Sequence, residues 1–116
     1  MKYTEFTEKD FDIIDKAWQE FAGFAKERCN NDKEFAVVKK AYEFANEAHK
    51  NVRRRSGEPY ILHPIAVAQI VVKEISLGYK SMAAALLHDV VEDTEYTVDD
   101  IRALFGAKIA SLVDGL

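Results

Sequence analysis

The chain has 116 residues, enough for one compact domain and too few for two. Hydrophobic residues make up 48 % and charged residues 31 %, a soluble balance that argues against intrinsic disorder. The formal net charge of -4 disfavours a nucleic-acid or anionic-membrane binder and leaves room only for a local basic patch.

The opening MKYTEFTEKDFD is too acidic and too poor in apolar residues to be a signal peptide. Thr7 with Asp10 three residues on forms a capping box with Asp in place of the usual Glu. Phe11, Ile14, Trp18, Phe21, Ala22 and Ala25 then recur at three- and four-residue steps, which predicts a helix from about Glu8 to Cys29. Cys29 is the only cysteine, so no internal disulfide forms, and it reads as a packing residue at a helix end. The run Asn30-Asn31-Asp32 breaks this helix and caps a second, whose stripe carries Phe35, Val38, Tyr42, Ala45 and His49. His49 reads as a core residue or as support for a site, not as a ligand.

From Val52 to Leu62 no helical period survives, and a Gly and a Pro mark a loop. Pro64 is expected at the first position of a third helix, where it has no amide hydrogen to lose. That helix continues through Ile75, with Gly78 as its stop signal, despite the β-branched residues of Ile65 to Val72. Ser81 is expected to cap a fourth helix that begins Met82 to Leu87, apolar nearly all round and therefore central. Thr97 with Asp100 caps a fifth helix ending at Gly106, and a sixth starts near Ala107. No apolar run approaches a membrane span, and no segment alternates like a strand. The expected fold is all-α, and with no export signal or span the expected location is the cytoplasm.

The chemistry concentrates in three places. HDVVEDT, His88 to Thr94, follows directly on the apolar start of the fourth helix. A buried helix that ends in several ionisable groups must pair them, hydrogen-bond them or bind a metal. His88 and Asp89 project about 100° apart on a helix and can converge on one ion. Glu92 and Asp93 each sit four residues further on, placed to handle a proton. Without other features, a solvated helix end would explain the same residues. His63, before Pro64, is a candidate third ligand; on its own it would be a turn residue. Imidazole and carboxylate together suit a divalent ion such as manganese, iron or zinc. The loop RRRSGEPY, Arg53 to Tyr60, is a cationic cluster in an acidic chain, and Arg grips phosphate oxygens bidentately and stacks on bases.

The order RRRSGEPY, His63-Pro64, HDVVEDT, FGAKIASLVDGL resembles the N-terminal hydrolase domain of the RelA/SpoT-homologue family of alarmone enzymes, from about Phe35 to the last residue. The resemblance implies an HD-type helical bundle and manganese-dependent removal of the 3′-pyrophosphate from guanosine tetra- and pentaphosphate. By position it makes His63, His88 and Asp89 metal ligands. Glu92 and Asp93 match the acidic pair that handles the attacking water. Arg54, Arg55 and Ser56 match the nucleotide-binding triplet, although the family commonly has Lys where this chain has Arg55. Residues 1–116 are then a single domain, with 1–30 as an N-terminal helix and 35–116 as the family-like core.

The family supplies a further Asp ligand from a later helix, beyond Leu116. The domain is accordingly expected to be C-terminally incomplete, weakly active or inactive alone, and prone to self-association through apolar faces left open on the third and fourth helices. A synthetase domain is a possible companion in the full-length protein. Two other readings stay open: an HD phosphohydrolase acting on another nucleotide, and a metal-free regulatory helical module. The RRRSGEP loop favours the alarmone reading over the first, and divalent-ion binding separates it from the second.

Overall fold

The computed structural model of the chain describes residues 2–75 and 77–115. Helix α1 runs Glu8–Arg28 and α2 Asp32–Ala48; α3 is Leu62–Ile70, α4 Tyr79–Asp93, α5 Val98–Phe105 and α6 Ala107–Asp114. The all-α expectation holds, with one small addition. Lys2–Tyr3 (β1) pairs antiparallel with Val52–Arg53 (β2), so the segment read as pure loop begins with a two-residue strand.

Local chemistry explains most boundaries. Both capping boxes form: Thr7 accepts from the Asp10 amide and Asp10 reaches back to the Thr7 amide, and Thr97 and Asp100 repeat the arrangement. Asn31 caps α2 through its side-chain oxygen, which accepts from the Glu34 amide at 2.9 Å. Each cap satisfies amides that have no partner inside the helix.

Helix α4 is the centre of the fold. It packs against α2, α3 and α6, and every residue from Met82 to Leu87 is buried. An apolar stripe on all sides is the pattern such a position demands. On α1, Ile14, Trp18, Phe21, Ala22 and Ala25 are buried as the spacing requires, and Trp18 lies flat on Tyr42 of α2, ring centroids 4.2 Å apart. Phe11 departs from the stripe: it is exposed and meets Phe6 edge-on instead.

Three expectations around α3 and α4 need correction. Helix α3 begins at Leu62, so Pro64 is its third residue, not its first. The Leu62 and His63 amides bond back to the carbonyls of Pro59 and Tyr60, and this turn starts the helix early. Pro64 is still tolerated, because the first four amides of a helix lack intrahelical partners anyway. Second, α3 does not continue unchanged to Ile75. Val71–Ile75 widens into a π-helical turn. Third, Gly78 is the N-cap of α4, not the stop of α3, and Ser81 lies inside α4. The Gly78 carbonyl accepts from the amides of both Ser81 and Met82, so the helix is already under way before serine is reached.

The apolar face of α4 does not lie open as expected, because α2, α3 and α6 cover it. Large exposed apolar residues near the end of α3 are Ile70, Ile75 and Leu77. No helix among the described residues is long and apolar enough to cross a membrane.

Candidate metal and phosphate site

Asp89, in the last turns of α4, is the hub of the site. Its Oδ1 lies 3.3 Å from His88 Nδ1, and its Oδ2 lies 3.8 Å from His63 Nε2. The buried stretch Met82–Leu87 of α4 anchors the turn that carries His88 and Asp89, and the start of α3 brings His63 to them. The three sequence-chosen ligands therefore share one locality, joined through Asp89. Glu92, one turn beyond His88, adds a carboxylate oxygen 3.8 Å from His88 Nε2. One donor atom each from His88, Asp89 and Glu92 lies within 4.8 Å of the other two.

This donor set fits a divalent cation. Ligand atoms about 2.1 Å from one ion stand about 3–4 Å apart, so small side-chain rotations bring these donors into range. Among the described residues, neither Asp89 nor Glu92 has an Arg or Lys partner; Asp89 faces two histidines and the Tyr60 hydroxyl, and Glu92 faces His88. Nitrogen and oxygen donors together suit a borderline or hard first-row ion.

The sequence pattern predicts one acidic pair of Glu92 and Asp93, and the structure separates them. Glu92 is 64 % exposed and belongs to the His88 side. Asp93 turns toward α2, where its Oδ2 lies 3.5 Å from Nε2 of the buried His49.

The cationic loop also divides. Arg53 faces the protein: it bonds the carboxylate of Asp10 and the carbonyls of Thr4, Glu5 and Gly57, and lies over the Phe6 ring. Arg54, Arg55 and Ser56 line a groove of about 290 Å³ together with Tyr60. Gly57, at φ +102°, closes the turn in a backbone region that other residues rarely adopt. Glu58 accepts from the Ser56 hydroxyl, a bond that holds its carboxyl below the usual range, with the Arg54 charge adding to the effect. Arg54 also reaches His63, its Nη1 donating to Nδ1 at 3.2 Å. Guanidinium can only donate, so this ring nitrogen accepts and a neutral ring carries its hydrogen on Nε2; His63 would meet an ion only once this bond opens, but the groove and the metal-ligand candidates adjoin.

Tyr60 was not singled out in the sequence. Its hydroxyl donates to Asp89 Oδ2 at 3.1 Å and its ring stacks on His49. Burial first, then the charges of Asp89 and Asp93, push its phenol above the usual tyrosine range. It therefore stays a neutral donor that fixes Asp89. The available signal was its place in GEPY, three residues before His63. A larger recess of about 650 Å³ lies between Tyr3 and the segment from Asp93 to Asp100. Asp93, Glu95 and Asp100 line it, a charge that repels a phosphate.

The HD domain family matches residues 41–116, more than half of the chain. The chain belongs to the HD domain family. The bifunctional (p)ppGpp synthase/hydrolase SpoT of Escherichia coli (strain K12) is 51 % identical to it over 79 residues, which cover 68 % of this chain and 11 % of that protein. The guanosine-3′,5′-bis(diphosphate) 3′-pyrophosphohydrolase of Aquifex aeolicus is 44 % identical over 79 residues, covering 68 % of this chain and 11 % of the relative. A probable GTP pyrophosphokinase of Mycobacterium leprae is 46 % identical over 81 residues, 70 % of this chain and 10 % of the relative. This HD domain chain thus spans about a tenth of the length of the curated relatives it matches.

Proposed function

We propose that this chain is a metal-dependent guanosine-3′,5′-bis(diphosphate) 3′-pyrophosphohydrolase domain. The observation that carries the reading is the direct link from the Arg54–Tyr60 groove to the cluster of His63, Asp89 and His88. A polyphosphate nucleotide needs cations to hold it and an ion beside the phosphorus under attack, and the groove meets the cluster through the Arg54–His63 and Tyr60–Asp89 hydrogen bonds. The names of the relatives support the same substrate. Residues 1–116 act as one domain with 35–116 as its family-like core, in the cytoplasm.

His63, His88 and Asp89 hold the divalent ion, for which manganese is the proposed occupant. A bound divalent ion acidifies a coordinated water and offsets charge on the phosphate. Tyr60 keeps Asp89 turned toward the two histidines. Arg54 and Arg55 take the guanine base and nearby phosphate oxygens, with Ser56 as a further donor. In the net reaction, water oxygen bonds to the phosphorus on the 3′ oxygen, the bond from that phosphorus to the 3′ oxygen breaks, and the 3′ oxygen takes a proton. Glu92 and Asp93 accept and return protons, Glu92 from within the donor cluster of His88 and Asp89, where it also supports the ion.

The test is pyrophosphate release from guanosine tetraphosphate by the full-length protein. We expect manganese-dependent release that stops on chelation and in His88→Ala and Asp89→Ala. Equal rates on unrelated nucleoside polyphosphates favour a general HD phosphohydrolase. A protein that binds no divalent ion is a regulatory module instead.

A further inference from the structure

His49 terminates α2 and is 1 % exposed, the most buried ionisable side chain near the site. Three elements fix its ring. Its Nδ1 lies 3.2 Å from the Ala45 carbonyl oxygen, the Tyr60 ring stacks on it with centroids 4.9 Å apart, and Nε2 points at α4. A carbonyl only accepts, so Nδ1 carries the hydrogen of that bond. In a neutral ring Nε2 is then an acceptor. It faces Asp93 Oδ2 at 3.5 Å, and both atoms are buried without a hydrogen-bond partner.

Two buried acceptors left facing each other are costly, and one hydrogen between them removes the cost for both. A histidine that merely filled the core would have no reason to aim its free nitrogen at a carboxylate one turn from Asp89. We propose that His49 is a positioning residue for Asp93. It shares a hydrogen with the Asp93 carboxyl and so fixes which oxygen faces the site and which faces the interior. The inference rests on the hydrolase reading for its catalytic meaning, while the pairing itself stands on geometry alone.

Two measurements test it together. The first is steady-state hydrolysis of guanosine tetraphosphate by the full-length protein with saturating manganese. His49→Leu is expected to lower kcat about 10–100-fold, the usual effect of removing a supporting hydrogen bond, with KM and manganese retention little changed. His49→Gln, which offers an amide donor, is expected to recover part of that loss. The double variant His49→Leu/Asp93→Asn is expected to be no slower than Asp93→Asn alone. The second measurement is the nitrogen and proton NMR shifts of the His49 ring in this chain, expected to move in Asp93→Asn.

Unchanged kcat in His49→Leu, additive losses in the double variant, or ring shifts indifferent to Asp93→Asn each overturn the proposal. Should His49→Leu not fold, a His49→Gln protein with wild-type kcat and ring shifts indifferent to Asp93→Asn do so equally. A wild-type protein that does not hydrolyse the nucleotide defeats the hydrolase reading, and with it the catalytic role of His49; the NMR result then decides the pairing separately.

Discussion

The Arg53 guanidinium donates to the Asp10 carboxylate at 2.6 Å, across 43 residues of sequence, and ties the site loop to the first turn of α1. That bond, followed by the Thr7 backbone, holds the Asp10 carboxyl well below the usual carboxylate range. The sign of the resulting pH dependence follows directly. An unfolded Asp titrates near about 3.9. Because the folded value is lower, the stabilisation is fully present above the unfolded value and is lost as pH falls toward the folded one. Melting temperatures of wild type and Asp10→Asn, measured from neutral to acid pH, should differ most at neutral pH and converge in acid. Parallel curves would show that the ion pair contributes no stability.

Arg53 and Arg54 should fail in different ways despite being neighbours. Arg54→Ala removes a groove donor and is expected to raise KM for the nucleotide roughly 10–100-fold, the equivalent of about 1.5–3 kcal/mol for a charged hydrogen bond. Its melting temperature should barely move. Arg53→Ala should instead lower thermal stability, because its partners Asp10, Thr4, Glu5 and Gly57 all belong to the protein. KM and melting data on both variants check the division; a KM effect of equal size in both would dissolve it.

Glu92 and Asp93 should separate as well. The Glu92 carboxylate shares the donor cluster with His88 and Asp89, so Glu92→Gln is expected to lower metal retention and turnover together. Asp93 points to His49 instead, so Asp93→Asn should lower kcat by about 10²–10⁴-fold with metal content preserved. Metal analysis and kinetics on the same preparations decide it.

Leu86, fully buried in α4, tests the centre of the fold. Leu86→Ala is expected to cost about 2–5 kcal/mol in urea unfolding, from lost burial and the cavity left behind. A cost below about 1 kcal/mol would mean that the helices around α4 close the gap readily.

What the sequence disclosed was local. Thr7 and Asp10, or Thr97 and Asp100, meet within one helical turn, so their caps are visible in a four-residue window. Met82 to Leu87 announces a buried helix because no face of it is polar. The misjudged features depend on distant partners or on competition between nearby signals. Nothing near Arg53 distinguishes it from Arg54, since the difference is Asp10 on α1, 43 residues away. Ser81 has the chemistry of a cap, yet the extended backbone at Gly78 starts the helix sooner. His49 sits on the core stripe of α2 as its spacing implies, but its free nitrogen is aimed by the packing of α2 on α4, which no single-helix pattern contains.

Trp18 is the sole tryptophan of the chain, and it stacks on Tyr42 within the buried layer between α1 and α2. Indole emission depends on the polarity and quenching groups around the ring. This chain therefore carries a built-in optical reporter for the docking of its first two helices. None of the proposed ligands or groove residues belongs to that aromatic stack, so emission can track α1 lifting away while chemistry is followed by a separate signal. The order in which the two signals vanish with rising denaturant then tells whether the end of α4 that bears His88 and Asp89 melts with the N-terminal helix or outlasts it.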